Sequence, residues 1–253
     1  MNKQIISKAE ERIGKIERVS LLQNQGCTSE VHQVVTGEGI YVIKSSYEQR
    51  YREWLMSEAS VLEKLHTIAA IPTPKYYGYF EASNSSHLIM SYEKGMTLTS
   101  ALKKAEKQEQ LSLIKSFGHF LQRLHETTVA GFYPHHWLAE QLKKAEGYVA
   151  SGYADGSFEL LQKLIVHQPS NVPQTMIHGD CTTDNVMVVN GNVSMFIDVA
   201  GMTIGDPRYD ESLAIRKWMN HQEYLEAFYE GYRRYQVTKE EFAYFNEGLY
   251  EFF

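Results

Sequence analysis

The chain has 253 residues and a formal net charge of −6, with hydrophobic and charged fractions of 43% and 22%. These values are ordinary for a globular protein with a hydrophobic core. No apolar run approaches the ~18 residues of a membrane-spanning helix, and the first residues lack the apolar segment of a secretory signal. The two cysteines form no CxxC pair, so we expect a cytoplasmic protein without a disulfide framework.

The negative charge is concentrated in the second part of the chain. Acidic and basic residues balance over 1–92, and the excess of acid lies from Glu93 onward. No basic stripe suits nucleic acid, whose binding depends on Lys and Arg. The acidic balance would suit a cationic small substrate, although a solvated, solubilising surface is the simpler interpretation of the charge alone.

The first part of the chain has the pattern of a small antiparallel sheet with two helices. Alternating apolar residues separated by a Gly turn predict a strand meander, and Pro residues end the long helix that follows. The predicted elements, in order, are a helix over 3–12, strands over 15–22, 31–36 and 40–45, a helix over 47–66, and strands over 75–82 and 86–92.

From about residue 93 onward, helical patterns dominate. A short β-hairpin interrupts them between residues 176 and 198. We expect an α+β protein with an antiparallel, β-rich amino-terminal lobe (1–93) and a mainly helical carboxyl-terminal lobe (94–253). The predicted helices of this second lobe lie over 98–107, 109–127, 136–151, 157–167, 209–219, 222–235 and 239–252.

The hairpin carries oxygen-bearing side chains at its open end. Asn190 and Gly191 form the strongest short signal for a type I′ turn, which needs positive φ at both central positions. With that turn, Asn185 and Asp198 are predicted to be neighbours. Mg²⁺ prefers hard oxygen ligands, so this pair could bind the ion, and Asp180, in the preceding loop, could orient an acceptor hydroxyl. Ordinary turn-forming Asp and Asn residues are the alternative.

Three motifs together resemble the aminoglycoside phosphotransferase and choline kinase-like family, which are small-molecule relatives of the protein kinases. They are HGDCTTDN (178–185), FID (196–198) and GDPRYD (205–210). The resemblance runs from about Leu21 to the carboxyl terminus. It implies a two-lobed, protein-kinase-like fold, with a nucleotide-binding lobe over 1–93 and a catalytic loop and substrate site within 94–253.

The resemblance also assigns roles to individual residues. Asp180 would act as the catalytic base, and Asn185 and Asp198 would hold Mg²⁺. Lys44, at the end of the third strand, would contact the phosphates. Glu58 falls on the apolar stripe of the predicted helix, where a charge is costly unless paired, and Lys44 is its natural partner.

The nucleotide is expected to bind in the first lobe. The resemblance implies ATP, with GTP as an alternative. The loop NQGCTSE (24–30), with Gly26 and Ser29, would cover the phosphates, although a plain hairpin turn is the better explanation of this loop taken alone. Val42 would cover the adenine, Met90 would lie at the back of the pocket unless it is simply core, and the main chain from Ser91 to Glu93 would hold the base.

Two departures from protein kinases favour a small-molecule substrate. Gly179 replaces the Arg of the H-R-D motif, and Asp198 is followed by Val-Ala rather than Phe-Gly. In protein kinases that Arg pairs with a phosphorylated activation loop. Here Asp210 follows Asp198 by only a dozen residues, which leaves little room for an activation segment or a peptide platform. We therefore expect an ATP-dependent phosphotransferase with a hydroxylated, possibly cationic acceptor, acting as a monomer or weak dimer.

The acceptor is less defined than the reaction. The chain ends in NEGLYEFF, and family members often bind substrate amines with such an acidic-aromatic terminus. Glu247, Glu251 and the carboxylate of Phe253 are therefore candidates, with an acidic surface helix as the alternative. An aminoglycoside, which would make this an antibiotic-resistance enzyme, is the first expectation. Choline, sugar or homoserine-type metabolites, and a non-catalytic nucleotide-binding, pseudokinase-like module, stay open.

Overall fold

A computed structural model describes residues 1–22, 25–26, 28–66 and 71–253. The chain divides into two compact units. The first unit comprises Met1–Lys94 together with Met195–Gly201, and the second comprises Gly95–Ser194 together with Met202–Phe253. The segment that contains Asp198 therefore belongs to the first unit, although it lies within the predicted second lobe (94–253).

The first unit is built on a five-stranded antiparallel sheet with the strand order β1-β2-β3-β5-β4. Two helices precede and follow its first three strands, and a short 3-10 helix from the second segment completes it. The elements are α1 (Lys3–Ile13), β1 (Ile16–Leu21), β2 (Glu30–Thr36), β3 (Gly39–Ser46), α2 (Gln49–His66), β4 (Tyr76–Ala82), β5 (Ser85–Ser91) and the 3-10 helix Val199–Gly201.

The two faces of this sheet carry different kinds of side chain. Helix α1 buries Ile5, Ala9 and Ile13 against one face, which includes Tyr41 and Ile43 of β3. Because side chains alternate along a strand, Val42 and Lys44 point to the opposite face, on the side where α2 supplies Glu58. One face is therefore a core layer, and the other presents the residues predicted to bind the nucleotide.

The second unit is mainly helical. Its helices surround short strands, among them a two-stranded sheet of β7 and β10 and a β6-β8 pairing, and β9 begins in this unit. The elements are β6 (Met96–Thr97), α3 (Leu98–Lys104), α4 (Lys107–Glu126), α5 (Trp137–Ala150), α6 (Phe158–Val166), β7 (Thr175–Ile177), β8 (Val186–Val189), β9 (Asn192–Phe196), β10 (Thr203–Gly205), α7 (Pro207–Ile215), α8 (Gln222–Gly231), α9 (Lys239–Asn246) and the 3-10 helix Leu249–Phe252.

The core of the second unit joins α5, α6, α7 and the carboxyl-terminal segment. Leu161, Leu213, Phe245, Leu249 and Phe252 are almost fully buried in one cluster. The terminal 3-10 helix is thus anchored by apolar residues on both sides of Tyr250. This packing determines where the last residues of the chain lie relative to the catalytic loop.

Most predicted elements are present, and the α+β class with its β-rich first part is confirmed. Asn190 and Gly191 both have positive φ, at 51° and 76°, as the type I′ turn requires. The helix predicted over 239–252 is wrong in one respect, because it ends at Asn246 and a 3-10 helix follows Gly248. Among the described residues, no helix is long and apolar enough to cross a membrane.

Candidate active site

Lys44 lies between two carboxylates in the first unit. Its Nζ donates to Glu58 Oε2 at 2.8 Å and also pairs with Asp198 Oδ1. Burial disfavours the charge, but Glu58 and Asp198 outweigh that effect and raise the pKa of Lys44. The side chain therefore carries a permanent positive charge on the sheet face opposite α1, as expected for a group that contacts phosphates.

Asp198 follows β9 with a left-handed backbone conformation. Its φ is +57°, which is uncommon outside glycine although Asp tolerates it better than most residues. The side chain of Asp198 is 46% exposed, whereas that of Glu58 is 3% exposed. Glu58 thus acts as a buried brace for Lys44, while the Asp198 carboxylate is about half-exposed.

The expected adenine pocket is partly defined by the sheet register. Val42 pairs with Met90 across β3 and β5, so the two residues are neighbours. The N–H groups of Ser91 and Tyr92 donate to Lys75 and Ile40, respectively. They are therefore engaged by the protein itself, and the Ser91 carbonyl and the main chain of Glu93 are better candidates for contacting a base.

The predicted phosphate loop is only partly defined. Asn24 and Cys27 lie outside the described residues. Gly26 is exposed, and Ser29 forms a hydrogen bond of 2.6 Å with Ser46, which anchors its Oγ to the end of β3. The roles of Gly26 and Ser29 toward a nucleotide stay predictions.

The catalytic-loop motif lies in the second unit and is held by Asp210. The buried carboxylate of Asp210 accepts from the N–H groups of His178 at 2.6 Å and Gly179 at 2.9 Å. It also lies 3.4 Å from Nε2 of His125, whose Nδ1 is 2.8 Å from the Tyr232 hydroxyl. One carboxylate of α7 therefore fixes the backbone that leads into Asp180.

Asp180 and Asn185 form a direct pair within this loop. Asn185 Nδ2 donates to the Asp180 main-chain oxygen at 2.9 Å and to Oδ2 at 2.6 Å. Both partners are acceptors, so the NH₂ group of the Asn185 amide, rather than its oxygen, must point toward them. The other carboxylate oxygen, Oδ1, accepts from the Tyr250 hydroxyl at 3.1 Å, and burial, followed by the charge of Asp180, raises the pKa of Tyr250.

The sequence did not reveal the contact between Tyr250 and Asp180. The two residues are separated by 70 positions, and no local pattern connects them. The predicted substrate residues lie on the same terminal segment: Glu247 and Glu251 are exposed, and Phe253 packs edge-to-face on Tyr148. Their contact with an acceptor stays a prediction.

The donors fit a magnesium ion chemically. Asp198 offers an exposed carboxylate in the first unit, and Asn185 has its Nδ2 engaged, so that its Oδ1 is the atom suited to a cation. Mg²⁺ usually takes one or two carboxylates plus phosphate oxygens rather than an all-protein cage. Within the described ranges, no cluster of three or more His, Cys, Asp or Glu suited to a metal occurs.

The predicted site residues thus fall into two groups. Lys44, Glu58 and Asp198 come together in the first unit, with Val42 and Met90 on the neighbouring strands. Asp180 and Asn185 come together in the second unit. Each group contains one residue of the predicted magnesium pair, and their joint binding of the ion stays a prediction.

Comparison with known proteins identifies a family at the level of sequence. The model of the phosphotransferase enzyme family (APH) matches residues 23–245. The match confirms the resemblance read from the three motifs and the prediction of a small-molecule kinase. No curated protein matches the chain significantly.

Solved structures agree on the fold. An aminoglycoside-3′-phosphotransferase of type VIII has a TM-score of 0.76 and 20% identity, with 93% of each chain covered. The phosphotransferase APH(3″)-Id from Streptomyces rimosus, in complex with ADP and streptomycin, has a TM-score of 0.73 and 17% identity, with 96% of this chain and 94% of that one covered. A spectinomycin phosphotransferase, APH(9)-Ia, has a TM-score of 0.63 and 17% identity over 97% and 83% of the two chains. At these identities the likeness establishes the fold, which is the kinase-like one expected.

Proposed function

Since the chain belongs to the phosphotransferase enzyme family, we propose that it transfers the γ-phosphoryl group of ATP to a hydroxyl of a small, cationic, aminoglycoside-like acceptor. The observation that carries the proposal is the buried ammonium group of Lys44 between Glu58 and Asp198. A buried ammonium group that must be paired with two carboxylates is not needed for the stability of the sheet. A positive charge at this position does suit the binding of a triphosphate.

Each residue group has its own part in the reaction. In the first unit, Lys44 would bind the phosphates, and Glu58 would keep its ammonium group in position. In the second unit, Asp180 would orient the acceptor hydroxyl and accept its proton late in the transfer. Positioning and electrostatic stabilisation supply most of the catalysis in such reactions, because the transition state is loose.

Asp198 and Asn185 are the proposed magnesium ligands, through a carboxylate oxygen and an amide oxygen. When bound, the ion supplies neutralisation of charge on the phosphate oxygens. The structures of similar proteins in complex with ADP or AMP support the use of a nucleotide. ATP is the first expectation and GTP the alternative.

The choice of a cationic acceptor has two supports. Similar folds were solved with streptomycin, hygromycin B and gentamicin, and the acid excess of this chain lies from Glu93 onward. Glu247, Glu251 and the carboxylate of Phe253 are the proposed contacts for amino groups on the acceptor.

One observation favours a second candidate, a neutral or weakly charged metabolite such as a sugar alcohol. The exposed guanidinium of Arg216 lies 4.7 Å from the ring centroid of Tyr250, which itself contacts Asp180. A positive charge at this position disfavours an ammonium group next to the reacting hydroxyl. Choline and homoserine-type acceptors are distinguished from these candidates by the same assay.

The test is an ADP-release assay over aminoglycosides, choline and sugar alcohols, with the phosphorylated acceptor identified by mass spectrometry. We expect Asp180→Ala to lower kcat by roughly a hundredfold or more, the usual effect of losing a positioned acid–base group. Asp155→Ala, which removes an exposed carboxylate of the same unit, should leave kcat unchanged. An unchanged kcat for Asp180→Ala would reject its role.

A non-catalytic nucleotide-binding module is the remaining alternative. Calorimetry with Mg-ATP separates it from a kinase, because a module would bind the nucleotide and turn over no acceptor. We expect Asp198→Ala to abolish the magnesium-dependent part of nucleotide binding. Tight binding without transfer to any acceptor in the panel would favour the module.

A further inference from the structure

The two oxygens of the Asp180 carboxylate have different partners. Oδ2 accepts from Asn185 Nδ2 at 2.6 Å, a bond within the catalytic loop itself. Oδ1 accepts from the Tyr250 hydroxyl at 3.1 Å, a bond from the other end of the unit. An ionised carboxylate only accepts hydrogen bonds, so Tyr250 is the donor. A hydroxyl of the terminal segment is therefore bonded to one carboxylate oxygen of the proposed base.

The Tyr250 hydrogen bond lies on the group that is the proposed base. A general base must lie within hydrogen-bond reach of the proton it removes. Asn185 lies on Oδ2 and a hydroxyl already lies on Oδ1, so Oδ1 is the oxygen that we assign to an acceptor hydroxyl. The Tyr250 hydroxyl makes the same bond, in the same direction, as the hydroxyl of an acceptor.

The terminal segment presents Tyr250 without burying it completely. Leu249 and Phe252 are almost fully buried, so the 3-10 helix is anchored on both sides. The ring of Tyr250 is half-buried, and the exposed Arg216 guanidinium lies over it. The backbone of this segment is anchored by its buried neighbours, whereas the Tyr250 side chain is only partly buried and packs against the ring of Tyr209.

We infer that the Tyr250 hydroxyl occupies the acceptor position on Asp180 until an acceptor displaces it, and that it thereby suppresses the transfer of the phosphoryl group to water. This inference rests on the proposed function, because Asp180 must be the base. It makes Tyr250 a residue that determines specificity, by discriminating between a substrate hydroxyl and water.

The suppressed reaction is ATP hydrolysis. A water oxygen would bond to the γ-phosphorus while the bond from that phosphorus to the β–γ bridging oxygen breaks. One proton of the water would pass to Asp180, and ADP and inorganic phosphate would leave. A phenol in the position of that water removes the nucleophile, and only an acceptor that outcompetes the phenol for Oδ1 restores transfer.

The experiment compares wild type with Tyr250→Phe and Tyr244→Phe in Mg-ATP without any acceptor, by measuring phosphate release. Tyr244 is a matched control, because its hydroxyl also donates at 3.1 Å, but to the Leu164 carbonyl. We expect Tyr250→Phe to hydrolyse ATP roughly tenfold faster or more, about the factor for one hydrogen bond to an ionised group. Tyr244→Phe should hydrolyse it at the wild-type rate.

The expected result is a gain of activity, which a loss of folding cannot imitate. Hydrolysis by Tyr250→Phe at the wild-type rate would overturn the inference. An equal rise in the rate of hydrolysis by Tyr244→Phe would also overturn it, because loss of any tyrosine hydroxyl in this region would then accelerate hydrolysis. Phosphate found on Tyr250 of the wild type would overturn it too, because the hydroxyl would then be an acceptor.

The two proposals fail separately. The proposed function is read from the phosphorylated acceptor in the wild-type reaction, and the inference is read from hydrolysis without acceptor. If no compound in the panel is phosphorylated but Tyr250→Phe still accelerates hydrolysis, only the proposed acceptor class is wrong. If an acceptor is phosphorylated and hydrolysis does not rise, only the inference is wrong.

Discussion

A buried ammonium group requires negative partners, and Lys44 has two of different character. Glu58 comes from the buried side of α2, while Asp198 is half-exposed. The two carboxylates therefore serve Lys44 differently. Glu58 holds the ammonium group in position, and Asp198 is the carboxylate that we propose as a magnesium ligand.

We expect Glu58→Gln to lower kcat/KM for ATP by roughly tenfold, because Lys44 loses its fixed buried partner. The free energy of unfolding should fall by about 1–3 kcal/mol, the range for a lost charged hydrogen bond. Steady-state kinetics and urea unfolding measure the two effects. Glu53→Gln, on the same helix but exposed, is the control, and equal behaviour of the two variants would contradict the role of Glu58.

Glu211 is another buried carboxyl group, next to Asp210 in α7, and it has no proposed role in the reaction. Its Oε1 accepts from the Tyr229 hydroxyl at 2.9 Å and from the Val237 N–H at 2.7 Å. No hydrogen-bond partner of Oε2 occurs in the part of the chain that the structure describes. Burial raises the pKa of Glu211 to about 8, although Arg208 partly offsets the nearby charge of Glu241.

The raised pKa gives a definite sign for the pH dependence of stability. The folded state favours the protonated form of Glu211. The contribution of this group to the free energy of unfolding is therefore fully present below pH 4.5 and is lost as the pH rises toward about 8. Glu211→Gln does not titrate and keeps the Oε1 acceptor. Urea unfolding should show the variant gaining at least about 1 kcal/mol on wild type between pH 5 and pH 8. A difference that does not change with pH, as for exposed Glu226→Gln, would exclude this ionisation.

At the scale of elements, α4 and α8 approach closely at two glycines. A Cβ at Gly118 would lie 2.2 Å from the Phe228 carbonyl oxygen, and one at Gly231 would lie 2.1 Å from the Lys115 carbonyl oxygen. Both obstacles are backbone atoms, which cannot turn away. The helix pair is therefore built around the absence of side chains at these positions.

Gly118→Ala should lower the free energy of unfolding by about 1–3 kcal/mol or more, as overpacking of a rigid contact does. Gly147→Ala is the control, because it also lies in a helix and a Cβ there meets nothing within 4 Å. That change should stabilise the protein by about 0.4–1 kcal/mol through the unfolded state. Urea unfolding measures both, and effects of the same sign would contradict the close approach of α4 and α8.

The carboxyl-terminal elements explain why the Tyr250 contact could not be predicted. The pattern over 239–252 predicts one helix, which would group Glu247 and Glu251 on a common face. The structure ends α9 at Asn246, and Gly248 lies so close to Tyr244 that a Cβ would be 2.5 Å from its carbonyl oxygen. The break redirects the last turn, and Tyr250 reaches the Asp180 carboxylate.

At the scale of the whole molecule, the uneven charge has a kinetic consequence. The acid excess lies from Glu93 onward, while the first 92 residues are balanced. A field of one sign raises the encounter rate with an oppositely charged ligand, and salt weakens it. A cationic acceptor should therefore be more sensitive to ionic strength than a neutral one.

For an aminoglycoside acceptor, we expect kcat/KM to fall several-fold between roughly 0.02 M and 0.5 M salt, because the Debye length shrinks from tens of ångströms to a few. A neutral sugar alcohol should show little change under the same conditions. Initial rates at subsaturating acceptor measure the effect. The same salt response for both acceptors would mean that the acidic residues only solvate the surface.

The sequence by itself determined the family and the order of most elements, and it supplied the candidates for the reacting groups. These properties reside in short motifs and in hydrophobic periodicity, as in the Asn190-Gly191 turn and in Glu58 on an apolar stripe. Local geometry is sufficient to predict them, because a turn type or a helix face depends on residues a few positions apart.

Only the tertiary structure decided which groups touch across long separations. The carboxylate of Asp210 holds the backbone of His178 and Gly179, and the Tyr250 hydroxyl lies on Asp180. Both contacts depend on how apolar clusters pack, which places α7 and the last turn of the chain beside the catalytic loop. Packing of this kind is a property of many residues together, so no single stretch of sequence encodes it.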